Sequence, residues 1–197
     1  LDAPVTISCG VSAAQALLVT HGHQQRDDGD WDRARYRFVQ LIAGRHGVVS
    51  VGHLRAAAVD GVTLRRWIAD GQLIPMGVRS FALPSSPAGW RQRLAAAAFE
   101  TFGVVAGRAA ARLHGIDGFD HDDIEILARH QSIVPGAIIA TPSRPLHVGD
   151  TVIIDGLRVV AVHRLLAEVA AFHLTAAERD ALARAVISGR QRRGTGY

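Results

Sequence analysis

Residues 45–84, RHGVVSVGHLRAAAVDGVTLRRWIADGQLIPMGVRSFALP, decide how the rest of the chain is read. Ser50 is a good N-cap for a first short helix that carries Val51, Leu54 and Ala58 on one side. Asp60-Gly61 breaks that helix and makes a turn. Residues 62–69 then form a second helix, with Leu64 and Ile68 facing inward and Trp67 beside them. Thr63, Arg65 and Arg66 are left on its outer side. Gly71 ends it, as glycine does just past a helix C-terminus. Leu73-Ile74 and residues 80–83 flank Pro75-Met76-Gly77 and give a short hairpin. Two helices, a Gly-centred turn and a hairpin are the outline of a winged helix-turn-helix.

A second helix with paired outward arginines suits a DNA major groove, where arginine contacts guanine bidentately. Thr63, Arg65 and Arg66 lie near its start, where side chains meet base edges. Ser50 heads the preceding helix, where a hydroxyl and backbone N–H groups can meet a phosphate. Arg79 sits on the hairpin, over backbone or minor groove. The same unit also serves elsewhere as a packing or protein-docking module, with Arg65 and Arg66 as a solvated face.

Charge distribution favours the DNA reading. Every one of the 22 basic residues is Arg, which with the abundant Ala and Gly suggests a GC-rich, bacterial coding sequence. The preference for Arg over Lys is therefore partly codon usage. Its placement says more: residues 1–30 carry −3, residues 31–85 carry +5 and residues 86–197 carry +2. The electropositive segment coincides with the helix-turn-helix, the footprint of a phosphate-binding module.

With 48% apolar and 20% charged residues, the 197-residue chain reads as globular, long enough for one large domain or two small ones. Cys9 is the only cysteine, so neither an intrachain disulfide nor a Cys-based zinc site can form. Residues 11–20 are too short to span a bilayer, and the acidic start with Asp2 does not suit a signal peptide. No membrane partner is expected, and the simplest location is cytoplasmic.

Residues 1–30 read as a leader or linker, partly disordered, in which the His21/His23 pair lacks a third metal ligand. Asp32 caps a helix to about Gly44, with Phe38, Leu41 and Ile42 on one stripe. Pro84-Ser-Ser-Pro87 marks a boundary. Beyond it come helices over 90–102 and 106–114, a strand over 124–127 and an apolar run over 137–140. Residues 151–161 form the clearest hairpin, with Asp155-Gly156 suited to a two-residue type I′ turn. A helix over 163–172 follows, then one capped by the Thr175/Glu178 box and running to about Ile187. The fold class is α+β: a winged helix-turn-helix domain at 31–85, a mixed α/β domain at 88–190, and a frayed tail at 191–197.

These residues resemble the antitoxins of AbiE-type (abortive-infection, type IV) toxin–antitoxin systems and related bacterial regulators, over about residues 32–190. The resemblance is carried by several local motifs in order. They are His46-Gly47-Val48-Val49-Ser50 with Leu54, then Leu64, Arg66-Trp67 and Gly71-Gln72-Leu73, then Phe81-Ala82-Leu83-Pro84. Further on come residues 110–116, AARLHGI, and residues 156–170 with Arg164 and Glu168. The chain departs from the pattern at Ala106-Gly107, where the family often has Ser-His, and at Arg79-Ser80-Phe81. The resemblance implies a transcriptional autorepressor that binds double-stranded DNA at its own promoter. It also implies an antitoxin domain that neutralises a nucleotidyltransferase-like toxin.

The alternative is a winged-helix-targeted, metal-dependent DNA-processing enzyme. Asp117, Asp120, Asp122, Asp123 and Glu125 invite it, since alternation puts Asp123 and Glu125 on one strand face. Against it, the sequence has no Lys to position an attacking water, no metal-ligand spacing among its ten His, and no Gly-rich phosphate loop. His114 is explained by its place at a helix C-terminus. The expectation is a chain with no catalytic residues, no metal and no cofactor.

Overall fold

The computed structural model describes Ile42, residues 45–130 and residues 132–189. The 1–30 leader, the His21/His23 pair, Cys9, most of the helix expected from Asp32, and the 191–197 tail lie outside the described residues. The protein is α+β, with six bounded α-helices and two sheets among the described residues. It divides into two compact units after Ala88.

In the first unit, β1 (Val48–Ser50) runs directly into α1 (Val51–Ala56), and α2 (Gly61–Ala69) precedes β2 (Ile74–Pro75) and β3 (Ser80–Ala82). The sheet order is β1-β3-β2, both pairings antiparallel, with Val49 opposite Phe81 and Ile74 opposite Ala82. β1 is a strand that the sequence pattern did not suggest. It is three residues long, buried throughout, and too short for alternation to show. Ile42, Val49, Leu54, Ala57, Val59, Leu73, Phe81 and Leu83 form the core, and Leu64, Trp67 and Ile68 pack on it from α2. Burial of these side chains against the sheet, rather than helix propensity, holds a six-residue and a nine-residue helix in place.

The turn between the helices differs from the expectation. α1 ends at Ala56, and Ala58 is an exposed residue with φ +61° rather than part of the buried stripe; Ala57 fills that role. Asp60 caps α2 instead of breaking α1: its carboxylate accepts from the Thr63 N–H at 2.7 Å, and Gly61 is the first helical residue. The reason is that Asp before a helix satisfies an orphan N–H, which a turn would leave open.

The second unit holds a five-stranded mixed sheet in the order β6-β5-β4-β8-β7. Its elements are α3 (Trp90–Thr101), β4 (Val104–Val105), α4 (Gly107–Leu113), β5 (Glu125–Leu127), β6 (Ile138–Ala140), β7 (Thr151–Ile154) and β8 (Leu157–Val160). α5 (Val162–Leu165) passes into a 3-10 helix (Leu166–Phe172), and α6 (Ala176–Ile187) follows. β4 pairs antiparallel with β5 and parallel with β8, so it joins the two halves of the sheet. The β7–β8 turn has φ +50° at Asp155 and +76° at Gly156, the left-handed pair that a type I′ turn demands. One continuous helix over 163–172 is not what forms. After one α turn the chain tightens to 3-10, and Arg108 takes up the carbonyls of Phe172 and His173 at its end. No helix among the described residues is long and apolar enough to cross a membrane.

Candidate nucleic-acid interface

α2 packs by one face and shows the other to solvent. Leu64, Trp67 and Ile68 are half-buried against the core, whereas Val62, Arg65, Arg66 and Ala69 are exposed. These four follow the i, i+3, i+4, i+7 spacing of a single helical row. Thr63, expected in that row, is half-buried near the Asp60 cap, and Val62 at 67% exposure takes its place. A helical wheel drawn from Leu64 would have found Val62, since it falls about 160° away at 100° per residue.

Arg79 is exposed just before β3, on the β2–β3 connection that also exposes Val78. Ser50 stands differently. It is 7% exposed, its hydroxyl accepts from the His53 N–H at 3.2 Å, and its own N–H donates to His53 Nδ1 at 3.2 Å. This reciprocal pair is a capping box with histidine in the place usual for Glu or Gln. Ser50 therefore serves the backbone of α1 rather than the outer surface.

Electrostatics follow from this arrangement. The described part of the first unit carries Arg45, Arg55, Arg65, Arg66 and Arg79 against Asp60 and Asp70. The two acids stand at the ends of α2, as N-cap and C-cap, leaving its middle to the arginines. The Thr63 N–H, with further help from Arg65, holds the Asp60 carboxyl below its usual range, so the cap stays charged. Burial, and then the Arg45 charge, lower the His53 ring to about 4, so Nδ1 carries no proton and accepts from Ser50.

Within the acidic stretch of the second unit, Asp122 and Glu125 are ion-paired to arginines. Glu125 is fully buried and does not share a strand face with Asp123, which lies before β5 and whose carbonyl accepts from Trp90 Nε1 at 2.7 Å. Glu125 accepts from the Arg108 backbone N–H and from Arg108 Nη1, the latter at 2.9 Å. Arg108 also donates from Nε to Glu178 at 2.6 Å, joining α4, β5 and the cap of α6. Burial pushes the Glu125 carboxyl up, against the bonds from Arg108 that pull it down. For Glu178, partial burial raises the carboxyl, but the Arg108 and Thr175 bonds outweigh that and hold it low.

Gly107 makes the close approach possible. It has φ +54°, and a Cβ there would overlap the Glu125 carboxylate. Asp122 pairs with Arg112 at 2.7 Å and Arg93 at 3.7 Å, while Arg112 lies 4.1 Å over the Trp90 ring. Among the described residues no group of three or more His, Cys, Asp or Glu is placed to hold a metal ion.

Arg164 and Glu168, which carry part of the family resemblance, are a fully buried ion pair. The Ser143 backbone N–H and hydroxyl donate to Glu168, and Arg164 Nη2 donates to the Arg144 carbonyl at 2.9 Å. His114 is also buried, with Nε2 2.8 Å from the Val160 carbonyl. No family model and no curated protein matches this sequence.

Proposed function

We propose that the first unit is a winged helix-turn-helix that binds double-stranded DNA, with α2 as the reading helix and the β2–β3 hairpin as the wing. The observation that carries this is the solvent row of α2, which presents Arg65 and Arg66 from a helix anchored by Leu64, Trp67 and Ile68. Such a helix enters a major groove N-terminus first, with arginines against guanine edges. Arg79 on the wing contacts the backbone and contributes affinity more than selectivity. Ser50 acts by holding the start of α1.

On the resemblance to AbiE-type antitoxins, the protein is a repressor of its own promoter. Its second unit neutralises a nucleotidyltransferase-like toxin, and the chain is a binding protein rather than an enzyme. Residues behind that resemblance in the second unit, such as Leu113, Arg164 and Glu168, are buried. They speak for a shared core, so the toxin would be met by other, exposed residues.

The test is binding of the full chain to the promoter upstream of its own gene and to scrambled duplex at fixed salt. Arg65→Ala and Arg66→Ala should each cost about 1–3 kcal/mol on the promoter and little on scrambled DNA. Equal losses on both duplexes would show that α2 is not the reader. Co-expression with the adjacent toxin tests the second role, and failure of the wild-type chain to rescue growth would refute it.

A further inference from the structure

We infer that Val62 is a specificity-determining residue that reads the 5-methyl group of a thymine beside the guanines met by Arg65 and Arg66; this rests on the DNA-reading role proposed for α2. Val62 is the second residue of α2 and is 67% exposed. It lies in the same outward row as Arg65, Arg66 and Ala69, at the helix end that goes deepest against base edges. A β-branched residue is a poorer helix former than alanine, so an exposed valine at this position has no local advantage.

What it does offer is a stiff apolar surface. In a helix its χ1 is almost confined to one rotamer, which fixes where its methyl groups point. The neighbouring Gly61 has no side chain to obstruct the approach, and a Cβ there would meet nothing nearer than Arg65 Nη1 at 3.8 Å. Among the major-groove edges of the four bases, only thymine presents a methyl group, and apolar side chains recognise it. The row thus combines donors for guanine with a methyl-sized contact for thymine.

The experiment starts with selection of the full chain on a randomised duplex. Each thymine of the selected site is then replaced singly by deoxyuridine, which removes the methyl and keeps every hydrogen-bonding group. At one thymine the replacement should weaken wild-type binding about three- to fivefold, the loss expected for one buried methyl-sized group. Val62→Ala should bind the thymine site more weakly and respond less to that replacement. If no sequence is enriched, the DNA-reading role falls and this inference with it. If a site is enriched but no deoxyuridine weakens binding, or Val62→Ala responds as fully as the wild type, the inference about Val62 alone is overturned.

Discussion

His53 ties part of the stability of the first unit to the protonation of one ring nitrogen. Its Nδ1 accepts from the Ser50 N–H, which a protonated ring cannot do. An unfolded chain holds this proton up to pH 6.5, whereas the folded chain binds it only below about 4. Folding therefore expels a proton throughout that window. Stability is at its full value above pH 6.5, falls as the pH drops, and levels off near pH 4. A shift of that size corresponds to about 3 kcal/mol. The ring is only half-buried, and solvent screening reduces the contribution to about 1–2 kcal/mol. His53→Gln retains an acceptor for the Ser50 N–H, as in the usual Ser-x-x-Gln box, and does not titrate. Denaturant unfolding of wild type and variant at pH 4.5 and pH 7 isolates the effect, because every other titrating group is common to both. Wild type should lose about 1–2 kcal/mol more than the variant on acidification. Equal losses, or a His53 titration by NMR centred near pH 6.5, would refute the reasoning.

Arg108→Ala strands the fully buried Glu125 carboxylate and should destabilise the second unit by about 3–5 kcal/mol in denaturant unfolding. Gly107→Ala forces a Cβ into that carboxylate at a left-handed backbone position and should cost about 2–4 kcal/mol by the same measurement. Glu178→Gln should flatten the acid loss of stability below pH 4.5, since the low folded pKa of Glu178 makes its contribution present above that pH and lost below it. Promoter affinity should fall linearly in log salt at about −0.9 per phosphate neutralised, and Arg79→Ala should make that slope shallower by about one.

The sequence was legible where several residues repeat one signal. The Thr175/Glu178 box and the Asp155-Gly156 hairpin turn each rest on adjoining residues that repeat one local preference, and each forms at the expected place. β1 and β4 were not legible, because strands of three and two residues carry no period and depend on distant partners for their hydrogen bonds. At the candidate site, the offset of Arg65 and Arg66 from Leu64 and Ile68 predicts their outward position, and both are exposed. Val62 carries no polar signal that marks it as part of the outward row, although its offset from Leu64 puts it there. His53 as a capping partner was missed because the box is usually closed by Glu or Gln. Glu125 groups in sequence with its acidic neighbours, and nothing local marks Arg108, seventeen residues earlier, as its partner.

The parallel pairing of β4 with β8 also sets an order of assembly. Val105 meets Val159, 54 residues further on, and this contact fuses the β6-β5-β4 half of the sheet to the β8-β7 hairpin. Closing a loop of that length costs about 3.5 kcal/mol of chain entropy beyond a constant, before any apolar burial offsets it. In the first unit the corresponding closure, Val49 to Phe81, spans only 32 residues. On a ribosome, Ala88 emerges long before Leu157, so the arginine-bearing helix can fold while β4 still has an open edge and Arg108 still lacks Glu178. A chain that ended between β6 and β7 would therefore carry every described element of the first unit together with a β4 whose free edge can pair with other chains.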